Sequence, residues 1–329
     1  MLLHINIRRI ASRFSLLFYL VISTFLCFGQ LIHPSLKIET SGAITDFFID
    51  GSKITLSTDA GTIEEFSLNN GKRLKIEHLP DMVDFMGDPA PTKVYSIDKF
   101  DTKILIVTQG LHGFRNLLVA DTNDTIKVID ATRNKLMIKK ARFINNNQIL
   151  LGLMSNELIL FDINQKEIIY TSTISAYSFS DFYLNKNSQF VYTSDESGVV
   201  HKIDVKDGKI TEEFSGSNVD NVYRLVYKNG VIITAGQDRR VGVYNSITGE
   251  NYYLQKDFLI YSVALSNDAS KGAFTASEEN DITVFNVETR NELKKLKGHT
   301  SVITKMAFID ESTLVSAADD HYLIIWKIN

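Results

Sequence analysis

The stretch 316-SAADDHYLIIWK-327 decides the fold. It reads as a strand, an acidic tight turn and a second strand running into Trp326, the only tryptophan of the chain. Gly298 and His299 stand a short way upstream, ahead of an apolar strand and a polar turn that lead into Ser316. A two-stranded hairpin of this composition leaves both apolar faces uncovered and is at best marginal in water. It needs neighbours of the same kind, so the question becomes where they are.

Counting back from the position of Trp326 at a nearly constant interval gives Phe285, Tyr244, Ile203, Phe161 and Ala120, and a longer last step gives Phe66. Each marker ends a strand preceded by a polar turn and a second apolar strand, as in 234-TAGQDRRVGVYN-245 and 275-TASEENDITVFN-286. Short strands separated by Gly, Asn and Asp turns are an all-β signature. A period of roughly 41 residues with four strands per unit points to a propeller rather than a sandwich. Seven units follow from seven markers. The last lacks a fourth strand after Trp326, and 34-PSLKIETSG-42 has the length and pattern to supply it. The expected fold is therefore an all-β, seven-bladed propeller closed by an N-terminal strand.

The segment 298-GHTSVITKMAF-308 followed by 316-SAADDHYLIIWK-327 resembles a WD repeat. The resemblance implies a hydrogen-bonded chain among His299, Ser316, Asp320 and Trp326. The other units depart from the motif: Asp238 keeps the turn acid in blade 5, whereas Glu279 and Ser197 stand in its place in blades 6 and 4. A narrower resemblance runs through 109-QGLHGFRNLLVAD-121 and 141-ARFINNNQILLGLMSNELILFD-162. These stretches are similar to the NapL proteins, accessory factors encoded beside bacterial periplasmic nitrate reductases. That implies a protein partner, a nitrate reductase subunit or redox partner.

Residues 1–29 read as a secretory signal. Arg8, Arg9 and Arg13 precede the apolar run 14-FSLLFYLVISTFLCF-28, with cleavage expected before Gln30. The run is shorter than the roughly 20 residues of a bilayer span. If uncleaved, it would anchor the chain in the inner membrane. The expected organisation is a signal over 1–29 and one propeller over 30–329, periplasmic and without a membrane span once the signal is removed. The only cysteine, Cys27, leaves with the signal. The remainder carries 32 basic and 39 acidic residues, which offers no electrostatic footprint for nucleic acid.

No Gly-x-Ser-x-Gly elbow, phosphate-binding Gly-rich loop, His-Glu-x-x-His or Cys-x-x-Cys-His occurs. No catalytic residue, cofactor site or metal ligand is assigned, and the chain reads as a non-enzymatic interaction scaffold. Two rivals stand beside it: a lactonase-like hydrolase gathering a metal at the central channel from several blades, and an envelope assembly factor. The turn 108–116 is longer than its counterparts and brings together His112, Phe114 and Arg115. The insertion 79–93 before the same blade contains three of the four prolines. With Glu196, Gln237, Arg239, Glu278 and Asp319 on the corresponding turns, and Tyr223 and Tyr261 near the start of first strands, these residues form a candidate partner-binding face. Aromatic and Arg side chains would anchor it, and the acids would steer.

Overall fold

Short apolar runs punctuated by tight turns cannot bury two faces alone. In the computed structural model, which describes residues 30–84, 86–122 and 124–328, they do so by radial stacking. Seven antiparallel sheets of consecutive strands start at Ile44, Val94, Ile138, Phe179, Val222, Val263 and Ile303. The chain is an all-β, seven-bladed propeller. The two middle strands of each blade are covered on both sides, so Val231–Gly236 and Thr313–Ala318 are almost wholly buried. The outermost strands alternate instead, as in Asn251–Gln255, because only one side meets protein.

The core lies between blades. Leu105, Leu117 and Val119 of blade 2 pack with Ala141, Leu151 and Phe161 of blade 3. Ala273, Val284 and Leu296 of blade 6 pack with Met306, Leu314 and Trp326 of blade 7. Every blade is thus half of two cores, and an open ring would expose both halves of one.

The ring closes on blade 7. Leu36–Glu39 pairs antiparallel with the strand Tyr322–Lys327, Leu36 opposite Ile325 and Glu39 opposite Tyr322. Backbone bonds Ser35 N to Ile325 O (2.9 Å) and Thr40 N to His321 O (2.8 Å) extend the zip. Ile38 is buried there among Phe47, Ile54, Val315 and Leu323, the interface of the last blade with the first. The structure adds a strand that the repeat pattern did not reveal. Gln30–Ile32 pairs parallel with Glu292–Leu296 and makes blade 6 five-stranded. So short a segment just ahead of a proline carries too little pattern to be read as a strand. The expected signal, residues 1–29, lies outside the described residues. Among those described, no helix is long and apolar enough to cross a membrane.

Blade 2 carries the irregularities. The 79–93 insertion folds into a small hairpin, Met82–Val83 against Pro89–Ala90. The 108–116 turn contains a 3-10 turn at Leu111–Gly113, with His112 in the left-handed region. A four-residue helix, Ala131–Asn134, follows the outer strand, and the Asp130 carboxylate accepts from Thr132 N and Arg133 N at its start.

Ile38→Ala is expected to lower unfolding stability by about 2–4 kcal/mol, because it opens a cavity where the ends meet. Leu31→Ala, on the half-exposed added strand, should cost under about 1 kcal/mol. Urea denaturation of both variants checks this; equal losses would mean that the Leu36–Glu39 strand is not the main clasp.

Candidate functional site

The polar chain beneath the loops is a structural element. In blade 7, His299 Nε2 and Ser316 Oγ are 2.7 Å apart, and Trp326 Nε1 donates to the same Ser316 Oγ at 2.8 Å. Asp320 does not hydrogen-bond to His299. It accepts from Tyr322 N (2.9 Å) and Thr300 Oγ1 (3.5 Å), capping its own turn, while His299 Nδ1 has no partner among the described residues. Blade 5 contains a second network of the same plan with different residues. Asn218 Nδ2 donates to Asp238 Oδ1 (3.1 Å), Thr234 Oγ1 donates to Asn218 Oδ1 (2.5 Å), and Asn218 N lies 3.3 Å from Tyr244 Oη. A Cβ at Gly236 or Gly242 would fall 2.3 and 2.5 Å from Asn218 side-chain atoms, so glycine makes room for it. Sequence reading noticed Asp238, and Tyr244 as the counterpart of Trp326, but missed Asn218, Thr234 and the network that joins them. The detectable signal was a shared spacing: Thr234, Asp238 and Tyr244 are set along the chain as Ser316, Asp320 and Trp326 are. In blade 4 the buried turn acid is Asp195, which accepts from Ser175, Asn156 and Ser197, rather than a substitute at Ser197 itself.

The axis is built from the innermost strands. In six blades a β-bulge interrupts the strand near its start. The residue after it, or its equivalent in blade 6, lines the channel: Asp46, Ser96, Lys140, Asp181, Arg224, Ser262 and Lys305 in blade order. Asp46 ties four blades together. It accepts from Lys305 Nζ of blade 7 (2.5 Å), Arg142 Nη2 of blade 3 (3.1 Å), and Ser96 Oγ and Ile97 N of blade 2 (3.1 and 3.0 Å). Asp181 accepts from Lys140 Nζ at 2.7 Å and lies 3.8 Å from Arg224 Nη1. Arg224 reaches past blade 6, donating from Nε to Thr304 O at 3.2 Å. Burial would raise the Asp46 carboxyl, but Arg142 and Lys305 outweigh it and hold the group well below the usual carboxylate range. Burial also lowers the Lys140 ammonium to about 8, with Asp181 opposing. Among the described residues no group of three His, Cys, Asp or Glu is placed to hold a metal ion. Asp46, Asp98 and Asp181 each face an Arg or Lys, a donor set that does not fit a divalent cation.

The partner candidates divide into separate places on one face. His112 is exposed; Phe114 and Arg115 are half-buried. The Arg115 guanidinium lies 3.9 Å from the centre of the Tyr95 ring and donates to Gly113 O, so it braces its own loop. Tyr223 and Tyr261 stack at 5.5 Å with Phe258 edging Tyr261, and Tyr223 Oη bonds Gln237 Oε1 at 2.9 Å. Glu196, Arg239, Glu278 and Asp319 stand at the turns of their own blades, apart from one another. Sequence reading missed the apolar part of this face. Leu111, Met137, Met154, Tyr177 and Val219 are all exposed, and each lies in a turn or linker at this end of blades 2 to 5. At the opposite end stand Phe100 and Ile247. Such residues stand out singly in sequence, because loops carry no periodicity that would align them.

The family model described as WD domain, G-beta repeat matches residues 290–327, the outer strand of blade 6 and the blade 7 strands up to Lys327. Blade 7 is a WD repeat. The whole is therefore a WD-repeat-like propeller whose other blades depart from the motif. Apoptotic protease-activating factor 1 from Homo sapiens is 30% identical over 113 residues, and that from Rattus norvegicus 29% over 113. Each alignment takes in 32% of this chain and only 9% of the relative. These matches carry the WD-repeat reading; they do not carry the narrower likeness to NapL proteins.

Two outcomes are expected. Asp46→Ala should cost about 3–5 kcal/mol, because Arg142 and Lys305 lose their buried partner, and Lys305→Met in the same chain should restore part of it. Urea denaturation of the two variants checks this. Burial, then the Lys37 charge, lowers His299 from its ordinary value of 6.5 to about 4. The contribution of a neutral buried imidazole is complete above about 6.5 and is lost as pH falls towards 4, on the order of 2–3 kcal/mol. His299→Asn, with the residue that blade 5 uses, should flatten that part of a melting-temperature profile between pH 7 and 4. Parallel profiles would place His299 outside the network.

Proposed function

We propose that the chain is an exported, non-catalytic scaffold that binds a protein partner through the face carrying the turns between second and third strands. A rigid disc of seven blades fits such a scaffold, since its loops are free of any duty in the core. The observation that carries the reading is the apolar arc Leu111, Met137, Met154, Tyr177 and Val219 beside the Tyr223–Tyr261 stack. Exposed apolar and aromatic side chains gathered on one face are what a desolvated interface centre requires, and the surrounding Glu196, Arg239, Glu278 and Asp319 would serve as rim and steering charges.

The partner we propose is a component of a periplasmic nitrate reductase system, either the catalytic subunit during maturation or a redox partner. The similarity of residues 109–121 and 141–162 to NapL proteins supports this. Both segments contribute to the apolar arc, through Leu111 and Met154. The basic and apolar pattern of residues 1–29 supports export to the periplasm, with residues 30–329 as the working propeller.

In a pull-down from periplasmic extract, the wild-type protein should recover the nitrate reductase catalytic subunit or its redox partner. Met154→Glu combined with Val219→Glu should reduce recovery at least about tenfold with unchanged melting temperature, since both side chains lie outside the core. Deleting the gene should lower nitrate reductase activity, while the purified protein reduces no nitrate itself. Equal recovery by both forms would remove this face from the interface; recovery of envelope assembly proteins instead would overturn the nitrate reductase reading.

A further inference from the structure

We infer that the axial cavity binds a small oxyanion carrying an apolar body, a phosphate ester or organic acid, with its charged head between Arg224 and Lys305. The cavity measures about 660 Å³, within the range of small-molecule sites and far more than a few waters need. Its polar groups are unbalanced. Asp46 receives five donors, from Lys305, Arg142, Ser96, Ile97 and its neighbour Phe47 N, so its acceptor capacity is used. Asp181 receives Lys140 Nζ and Leu225 N, and Asp98 receives Phe143 N. The cations are less fully engaged. Lys305 bonds Asp46 and Phe47 O, which leaves one of its three N–H groups. Arg224 makes one hydrogen bond, from Nε to Thr304 O, and its terminal nitrogens make none among the described residues. Lys140, Arg142, Arg224 and Lys305 outnumber Asp46, Asp98 and Asp181 by one, and Lys139 adds a further positive charge at the mouth. Spare donors on Arg224 and Lys305, an Asp46 carboxylate already filled and net positive charge call for a ligand that only accepts.

The next layer of the channel decides where such a ligand sits. Two residues beyond the charged ring, the axis-facing positions are Phe48, Asp98, Arg142 and Tyr183 on one side and Val226, Ala264 and Ala307 on the other. Large side chains fill the first half. Small apolar ones leave room in the second, next to Arg224 and Lys305. An oxyanion head at those two cations therefore has an apolar floor beneath it, which selects a head with a body over a bare ion. The Arg224 side chain is 35% exposed and Lys305 24%, so the ligand can reach both. The site does not depend on the proposed protein partner.

The probes are inorganic phosphate, a head alone, and phenyl phosphate, a head with an apolar body. They are titrated calorimetrically into the purified propeller at constant ionic strength set with chloride, so that general screening is held fixed. Phenyl phosphate is expected to bind more tightly than phosphate, with one site per chain. Arg224→Gln should weaken both at least about tenfold, the loss of charge-assisted hydrogen bonds. Ala307→Leu, which fills the floor and leaves every charge in place, should weaken phenyl phosphate far more than phosphate. Melting temperatures without ligand show whether each variant is folded; Val226→Leu replaces Ala307→Leu if the latter is not. No binding of either probe, or binding unaffected by Arg224→Gln, overturns the inference. So does equal affinity for the two probes, which would mean charge attraction without a pocket.

Discussion

Asp46 stands at the start of the first blade, yet its carboxylate is held by side chains or backbone from blades 2, 3 and 7. A propeller is a chain bent into a circle, and nothing covalent joins its ends. The Leu36–Glu39 strand zips the outer edge of the last blade, and Asp46 to Lys305 ties the first blade to the last at the axis. Each interface between blades is buried on both sides, so failure at the join would expose apolar surface on two sheets together. The clasp lets the remaining blades behave as equivalent units.

That equivalence lets the blades differ in sequence. The blade 7 network of His299, Ser316 and Trp326 and the blade 5 network of Asn218, Thr234, Asp238 and Tyr244 fill the same place with different chemistry. What is kept is a buried hydroxyl on the second strand, a polar partner from the linker and an aromatic on the third strand. Buried polar groups in such a position must be satisfied, but the pairing that satisfies them is not unique. The result is a chain in which one blade of seven still reads as a WD repeat.

Closing the ring also creates two surfaces that the core does not use. The loop face collects Met137, Met154, Tyr177 and Val219 from blades far apart in sequence. The axis collects Lys140, Arg142, Arg224 and Lys305 in the same way. Like charges so close are tolerated because Asp46 and Asp181 sit between them and because the channel side chains remain partly in contact with solvent. The apolar face takes no part in packing between blades, and the channel keeps donors beyond those that tie the blades, which leaves both open to recognition.

The regular repeat of the strand-end markers, the four-strand content of each unit and the missing fourth strand of the last one determined the fold from sequence alone, because strand alternation and turn residues are local signals. Residues 34–42 could be matched to the gap for the same reason: Lys37, Ile38 and Glu39 carry a strand pattern. Tertiary structure alone decided what meets at the axis and on the loop face. Asp46 meets Lys305 from the far end of the chain and Arg142 from two blades on. A single charged residue on an apolar strand does not announce the partner that will face it across a ring. The Gln30–Ile32 strand and the brace of Arg115 on Tyr95 escaped notice for a related reason. So short a strand is too brief for a pattern, and a cation stacking on a ring two strands away leaves no periodic trace. Sequence carried what repeats; the fold decided what converges.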